Sequence, residues 1–324
     1  MSPTVFWIVG GGGLLGSHLC RAVSQRIPTA RFWEAKPVRF SWTEPTRLAD
    51  ELRHAVAAFS EAVRAQGGSW ALLWCAGKGV MSSPATTLDP EWLAWTKLLE
   101  LLGHHLAGHC GDLRGVIFLA SSAGGIYGGD DELLSEHTPP HPLSAYGRHK
   151  LCMEQALRNW ADAFPNVSTL IGRISTLYGP GQDLRKAQGM ISHLSRCMIF
   201  RQPVNIYVSL DTRRDYLFVD DCAHQIAASL GRLITERQRT ILKIFASEEP
   251  TSVARIIGIF FRMSKHHPLI VSQQPRGTRP TSVKLRSAVW RDLPNLRKTD
   301  LTTGIHLVHE HQRALFCRGL LSPP

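Results

Sequence analysis

The sequence predicts an α/β protein: a doubly wound parallel sheet with a smaller C-terminal α/β domain. Three observations carry this. Short apolar runs recur at residues 5–9, 69–77 and 115–125 and at the start of 167–182. Runs of that length suit strands covered on both faces. Helical stretches lie between them, and such alternation is the mark of a sheet built from parallel crossover units. A block of four glycines, residues 10–13, joins the first run to the first helical stretch.

The elements follow in order. Val5–Val9 reads as a buried strand, and the helical pattern after it runs through Leu19 and Val23. Between them the glycines fall at spacing three. Gly10 permits a tight turn, Gly13 lets a pyrophosphate approach the backbone, and Gly16 lets the helix pack on the strand. Leu14 and Leu15 open that helix, whose free N–H groups suit phosphate. This predicts a dinucleotide site. Glu34, eighteen residues after Gly16, is placed to accept from both hydroxyls of the adenosine ribose, which favours NAD. Arg31, Lys36 and Arg39 surround it and could hold a 2′-phosphate, so NADP stays open. The run 69–77 ends in small residues, among them Ala76, as a strand passing under a cofactor would. Residues 88–106 read as a helix with Asp89 as N-cap and Pro90 in first position. Residues 115–125 form another buried strand ending in Ser121 and Ser122. SAYGRHKLCMEQAL then opens a helix that puts Tyr146 and Lys150 on one face. An ammonium beside a phenol favours phenolate. The run 167–182 is a strand entering a Gly/Pro loop. Ligands bind such sheets at the C-terminal ends of the strands.

Composition agrees with this class. The 324 residues are 44% hydrophobic and 19% charged, enough for one large or two medium domains. No apolar run is long enough to span a bilayer. MSPTVFWIVGGGGLLG has no basic residue ahead of its apolar stretch and no convincing cleavage site, so it is not read as a signal peptide. Seven scattered cysteines without a paired spacing predict reduced thiols and a cytoplasmic protein. The net charge is +11, and residues 231–300 hold 14 Lys and Arg against 5 Asp and Glu. That block suits an anionic ligand. It carries no nucleic-acid-binding motif, and its charges are interspersed with apolar residues, so nucleic acid is not expected as a partner. His105 and His109 stand four apart on the helical stretch, but they lack a carboxylate partner beside a leucine and tryptophan stripe. No metal is expected.

GGGGLLGSHL, SSAGGIYG, SAYGRHK, GRISTLYGPGQ and RRDYLFVDD, in this order, resemble the extended short-chain dehydrogenase/reductase family. More narrowly they resemble its NAD-dependent epimerase/dehydratase group, which acts on nucleotide sugars. TSVARIIGIF and TDLTTGIH resemble that group's C-terminal part. The resemblance implies a Rossmann-type dinucleotide-binding domain over residues 1–178, with 220–246 returning to it. A discontinuous substrate domain is implied over 179–219 and 247–324. It makes Tyr146 the acid/base and Lys150 the residue that binds the nicotinamide ribose and lowers the tyrosine pKa. The family hydroxyl stands four residues before the tyrosine of its YG motif. Counting back from Tyr127 reaches Ala123, so the sequence departs from the pattern. Ser122, one residue earlier, is the expected replacement, helped by Gly124 and Gly125, with Ser121 as the other candidate.

On the substrate side, the resemblance gives Thr176 the place of a family asparagine. It makes Arg214 the arginine for the substrate diphosphate, with Arg213 as the neighbouring alternative and Arg291 as a second phosphate contact. Tyr178 packs beside the cofactor in that reading and is otherwise a strand-end aromatic. Asp220 or Asp221 is expected to cap a helix near 221–231. Ala123, Gly124 and Gly125 stand where dehydratases carry an acid, which favours 4-epimerisation through a transient 4-keto sugar, with NAD or NADP as cofactor. The alternatives are an NADP-dependent 4-ketoreductase, a dehydratase, or a non-catalytic NAD(P)-binding regulator. The expected partner is a nucleotide-diphosphate sugar, with no membrane insertion. The stripe Leu88, Trp92, Trp95, Leu99 and Leu102 suits burial against the core, and together with the Tyr146 helix the resemblance also implies a homodimer interface there.

Overall fold

The computed structural model describes residues 3–34, 38–107, 113–128, 133–186, 188–236, 239–263, 269–273, 282–293 and 298–324. The chain begins with β1 (Thr4–Val9), α1 (Leu14–Arg26), β2 (Ala30–Phe32), α2 (Pro45–Gln66), β3 (Ser69–Trp74) and α3 (Asp89–Leu102). Next come β4 (Gly115–Ser122), α4 (Ala123–Ile126), β5 (Leu133–Leu134), α5 (Ala145–Asp162), β6 (Val167–Ile174) and β7 (Thr176–Tyr178). It continues through α6 (Met190–Phe200), β8 (Val204–Ile206), β9 (Arg213–Phe218), α7 (Val219–Glu236) and β10 (Thr240–Phe245). It ends with β11 (Pro250–Ser252), α8 (Val253–Met263), β12 (Ile270–Ser272), β13 (Lys284–Leu285) and α9 (Leu301–Cys317).

Two compact units result. Unit one holds residues 1–128, 139–174 and 223–243, and unit two holds 129–138, 175–222 and 244–324. These boundaries differ from the sequence reading, which ran the first domain to 178 and its return over 220–246. The reason lies in strand pairing. The run 167–182 is two strands: β6 pairs with β4, whereas β7 pairs in parallel with β9.

Unit one is a six-stranded sheet in the order β10-β6-β4-β3-β1-β2. β1 pairs in parallel with both β2 and β3, β3 with β4, and β4 with β6. The chain winds outward from β1 to β2 and then jumps to β3 on the other side of β1. The turns after β1 and β3 therefore meet at the switch point, where open sheets bind ligands. The sheet strands are apolar throughout because both faces are covered: every residue of β1 is buried, as are Trp70 to Trp74 of β3. One face packs on α2, which the sequence reading did not assign. Its Leu48, Leu52, Val56, Phe59 and Val63 form a buried stripe. Trp7, Trp33, Phe59, Trp74 and Trp95 lie in tilted or edge-on contact on that side. The α3 stripe joins the same core through Trp95, Leu99 and Leu102, with Trp92 packed against it, and Leu88 at the helix start is buried as well. Asp89 is the first residue of α3 and not its cap, because the Leu88 carbonyl accepts the Trp92 N–H at 3.1 Å. In the first turn its carboxylate still faces the positive helix end.

Unit two contains the three-stranded sheet β11-β9-β7 and the pairs β12–β8 and β13–β5. Its core gathers Tyr178, Leu194, Phe218, Ile256, Phe260 and Ile305. Carboxylates tie its loops down. Asp215 accepts from the Ser247 N–H and hydroxyl at 2.8 and 2.9 Å, and Asp221 from those of Thr299 at 2.6 and 3.0 Å. Asp220 and Asp221 thus lie inside the first turn of α7, which starts at Val219, and do not cap it from outside.

Candidate active site

Gly10 has φ +84, a left-handed conformation that favours glycine. A Cβ there would lie 2.6 Å from the Ala76 nitrogen, so the turns after β1 and β3 can touch only without a side chain. A Cβ on Gly16 would run into the Gly10 carbonyl oxygen and lie 2.7 Å from Gly11 Cα. Gly13 stands at the N-cap of α1 with no side chain capping the helix and no acid in the first turn. The helix-start N–H groups at Leu14, Leu15 and Gly16 thus have no capping side chain and no acid in their own turn, the setting that suits a phosphate. Leu15 itself is buried, so it can offer only its backbone. These features fit a dinucleotide pyrophosphate.

Glu34 is exposed just beyond β2. It lines a cavity of about 280 Å³ with Gly11, Arg21, Ser24, Phe32 and Val38. Arg31 does not join it. Its guanidinium donates to the Pro28 and Ala30 carbonyls and lines a larger hollow of about 390 Å³ at the opposite, amino-terminal edge of the strands. Arg39 is exposed, and Lys36 lies outside the described residues. Among the described residues lining the Glu34 cavity, the cation is Arg21, which the sequence reading did not name. It sits 2.8 Å from His18 Nδ1.

Ser144 caps α5 by accepting the Gly147 N–H at 3.0 Å. Tyr146 follows in the first turn. A Cβ on Gly79 or on Gly125 would each come within 3.1 Å of a carbon of its ring, so the phenol occupies a slot between two glycines. One turn on, Lys150 Nζ stands 5.8 Å from the ring centroid. The ammonium is buried and donates to Glu91 Oε1 of α3 at 2.7 Å, with side-chain exposures of 6% and 7%. Burial favours loss of the lysine proton, but Glu91 and Tyr146 hold it on, and the group titrates above the ordinary lysine range. Burial likewise disfavours the Glu91 charge, yet Lys150 and His149 hold the carboxyl down at about 2. Glu91 is the site residue that sequence reasoning missed. Spacing gave no signal, because it lies 59 positions from Lys150.

The two serines separate cleanly. Ser121 donates to Glu154 Oε1 at 2.6 Å in the interior. Glu154 also takes a two-pronged contact from Arg173, at 3.0 and 2.7 Å, and Arg173 donates to the Tyr127 hydroxyl at 2.7 Å. Ser121 is therefore part of a buried network that fastens β4, α5 and β6 together. Ser122 accepts the Gly125 N–H at 3.1 Å as the cap of α4 and keeps its own proton for donation. A Cβ on Gly125 would lie 3.3 Å from Ser122 Oγ and 3.1 Å from the Tyr146 ring, so hydroxyl and phenol flank one glycine. Ala123 is fully buried.

The remaining expected residues belong to unit two. Thr176 is exposed and pairs in register with Tyr216, two residues along β9 from Arg214, which places the three on one face. Arg214 is half-buried, and burial pulls its guanidinium below the usual range. Arg291 is exposed in a turn. Tyr178 is 2% exposed, with its ring 5.6 Å from that of Phe218, and a Cβ on Gly304 would strike its hydroxyl. Of the proposed histidine pair, His109 lies outside the described residues. Among the described residues no three His, Cys, Asp or Glu cluster as a metal site would need, and no helix is long and apolar enough to cross a membrane.

The model of the NAD dependent epimerase/dehydratase family matches residues 6–242. The chain belongs to that family. Curated relatives include the dTDP-L-rhamnose 4-epimerase of Burkholderia thailandensis, 32% identical over 39% of this chain and 35% of that protein. The dTDP-4-dehydro-6-deoxyglucose reductase of Escherichia coli is 32% identical over 46% of each chain. The Bacillus subtilis protein YtcB, described as an uncharacterized UDP-glucose epimerase, is 31% identical over 58% of this chain and 59% of its own. The chain thus spans between about a third and three fifths of these relatives' lengths. Among solved structures, the UDP-glucose-4-epimerase of Stenotrophomonas maltophila with bound NAD and formylated UDP-arabinopyranose superposes with TM-score 0.76. It is 17% identical, over 98% of this chain and 100% of that one. MoeE5 in complex with UDP-glucuronic acid and NAD gives 0.73 at 22% identity over 97% and 99%. These likenesses establish the extended fold of the family's epimerases.

Proposed function

We propose that this family member is an NAD-dependent nucleotide-sugar 4-epimerase working through a transient 4-keto sugar. The observation that carries the reading is the Tyr146–Lys150 pair, set with Ser122 around Gly125 in the unit that holds the glycine turn. The residues present suit the cofactor. The open end of α1 would hold its pyrophosphate, Glu34 its adenosine ribose and Lys150 its nicotinamide ribose. The cofactor supplies a reversible hydride acceptor next to the sugar carbon.

The chain's own residues supply the rest. Tyr146 takes the proton of the sugar 4-hydroxyl as the carbon is oxidised and returns it after reduction on the other face. Lys150 keeps positive charge beside the phenol. Ser122 donates a hydrogen bond to the reacting oxygen. Rotation of the keto sugar needs free volume, and a Cβ on Gly124 would meet nothing within 4 Å. No acid stands at 123–125 to expel water from the sugar, which argues against a dehydratase. Arg214 would pair its planar fork with the substrate diphosphate, with Thr176 on the same sheet face and Arg291 as the second phosphate contact. A homodimer and a cytoplasmic setting complete the proposal, and sedimentation of the pure protein tests the first of these.

The second reading, a 4-ketoreductase, draws on the 32% identity to the Escherichia coli reductase. One experiment separates the two. Purified protein is denatured, the released ligand is identified by mass spectrometry, and NAD and NADP are then titrated. UDP- and dTDP-hexoses are followed by proton NMR for inversion at C4. Tightly held NAD with inversion supports the epimerase, because an enzyme that returns its hydride to the same sugar need not exchange cofactor. Exchangeable NADP with net reduction of a 4-keto sugar supports the reductase. Failure to bind either cofactor refutes both.

A further inference from the structure

We infer that Glu91 is a positioning residue whose carboxylate keeps Lys150 charged in a site that would otherwise neutralise it. The inference deepens the proposed reaction and rests on it only for the consequence at Tyr146. The geometry is that of a built pocket. Glu91 comes from the first turn of α3 and Lys150 from α5, and their heads meet at 2.7 Å with almost no access to water. The chain opposite makes room. Gly77 adopts φ +152, and a Cβ there would lie 2.9 and 3.0 Å from the two Glu91 oxygens. Any other residue at 77 would push the carboxylate off the ammonium.

Among the described residues, the titratable groups around Lys150 come from three elements. From α3 there is Glu91. From α5 there are Tyr146, one turn back, and His149, whose Nε2 lies 3.9 Å from Glu91 Oε2. From the end of β3 there is Cys75, whose thiol is pushed up by burial and so stays neutral. Of these, only Glu91 offers Lys150 a permanent opposite charge. A buried lysine without such a partner drops its pKa by up to about 3–5 units, which would leave Lys150 largely neutral near neutral pH. Glu91 also sets a limit. The pair is neutral as a whole, so it presents Tyr146 with a dipole and not with a bare cation. The chemical consequence is that Lys150 carries its proton throughout the turnover and leaves proton traffic to Tyr146 alone.

The test reads the lysine directly, without turnover. The full-length protein is labelled with ¹³Cε-lysine, the Lys150 resonance is assigned by its loss in K150R, and it is titrated from pH 6 upward. Wild type is expected to titrate above the free-lysine value of about 10.4. Glu91→Gln keeps the size and one acceptor oxygen but removes the charge, and its Lys150 midpoint is expected to fall by at least one pH unit. An unchanged midpoint in E91Q overturns the inference, as does a wild-type Lys150 that titrates below 10. The second criterion holds even if E91Q does not fold. A purely structural Glu91 would lower stability without moving the lysine. Loss of the epimerase reading would leave the titration interpretable, whereas an unchanged Lys150 midpoint in E91Q with an active enzyme would sink the inference alone.

Discussion

Removal of Glu154 measures how firmly the site is anchored. Its carboxylate is 1% exposed and takes two bonds from Arg173, itself 3% exposed, with Ser121 on the same oxygen as one of them. Glu154→Leu leaves a guanidinium in the interior with Tyr127 as a remaining neutral partner. Breaking one side of a buried pair costs about 3–5 kcal/mol, because the survivor keeps its desolvation penalty. At roughly 2–4 °C per kcal/mol for a unit of this size, the melting temperature should fall by about 6–20 °C. Differential scanning calorimetry on E154L reads this. The double variant E154L/R173M removes both charges and should regain more than half of the loss, since an apolar pair of similar volume tolerates the interior. The Ser121 and Tyr127 hydroxyls left behind keep it short of wild type. A single variant melting within about 2 °C of wild type would refute the reasoning, as would a double variant no better than the single.

Further outcomes follow from the same geometry. Tyr146→Phe should cut turnover by at least about a hundredfold, the scale of a lost acid/base group, while calorimetric NAD affinity stays within a factor of a few. Ser122→Ala should lower kcat and slightly loosen α4, whereas Ser121→Ala should lower stability and leave the acid/base chemistry in place; steady-state kinetics beside melting curves tells them apart. Gly16→Ala forces a methyl into the Gly10 carbonyl and should abolish dinucleotide binding in a fluorescence titration. The Glu91 carboxyl titrates at about 2 when folded against 4.5 as a free side chain. A depressed acid of this kind stabilises the fold fully above pH 4.5 and loses that contribution as pH falls toward 2, on the order of 3 kcal/mol in all. Wild type and E91Q should therefore converge in urea stability between pH 5 and pH 2, and a pH-independent gap would count against the pair.

What the sequence discloses, it discloses where local chemistry dictates structure. The four glycines after an apolar run fix the turn of β1 into α1, since Gly10 and Gly16 fail sterically with any side chain. Ser144 ahead of a helical pattern fixes the start of α5, and with it the i, i+4 placing of Tyr146 and Lys150. The family motifs add the roles. Local rules misplaced the cap of α3 by one residue, because Asp at a helix start suits both the cap and the first turn. They merged β6 with β7 because Ser175 carries no breaker signal and the two strands diverge only through their partners, β4 and β9.

The buried charges escaped the sequence for a stronger reason. Glu91 sits in a leucine and tryptophan stripe, where a lone acid in the first turn reads as a dipole-matching surface group. Glu154 and Arg173 look like an exposed helix position and a strand charge. Nothing in spacing pairs residues 59 or 19 positions apart. Yet two features could have flagged them. A charged residue in an otherwise continuous apolar strand, such as Arg173 in VSTLIGRI, must find a buried partner or break the sheet, because an unpaired interior charge costs more than most folds can spare. A run with glycine on both sides of an exposed lysine, Gly77-Lys78-Gly79, marks backbone approached closely by something else. Here these are the Glu91 carboxylate on one side and the Tyr146 ring on the other. The acid/base pair and the residues that steady it thus meet at a glycine-lined stretch whose purpose is steric, and substitution at Gly77 or Gly79 should disturb Lys150 and Tyr146 without touching either directly.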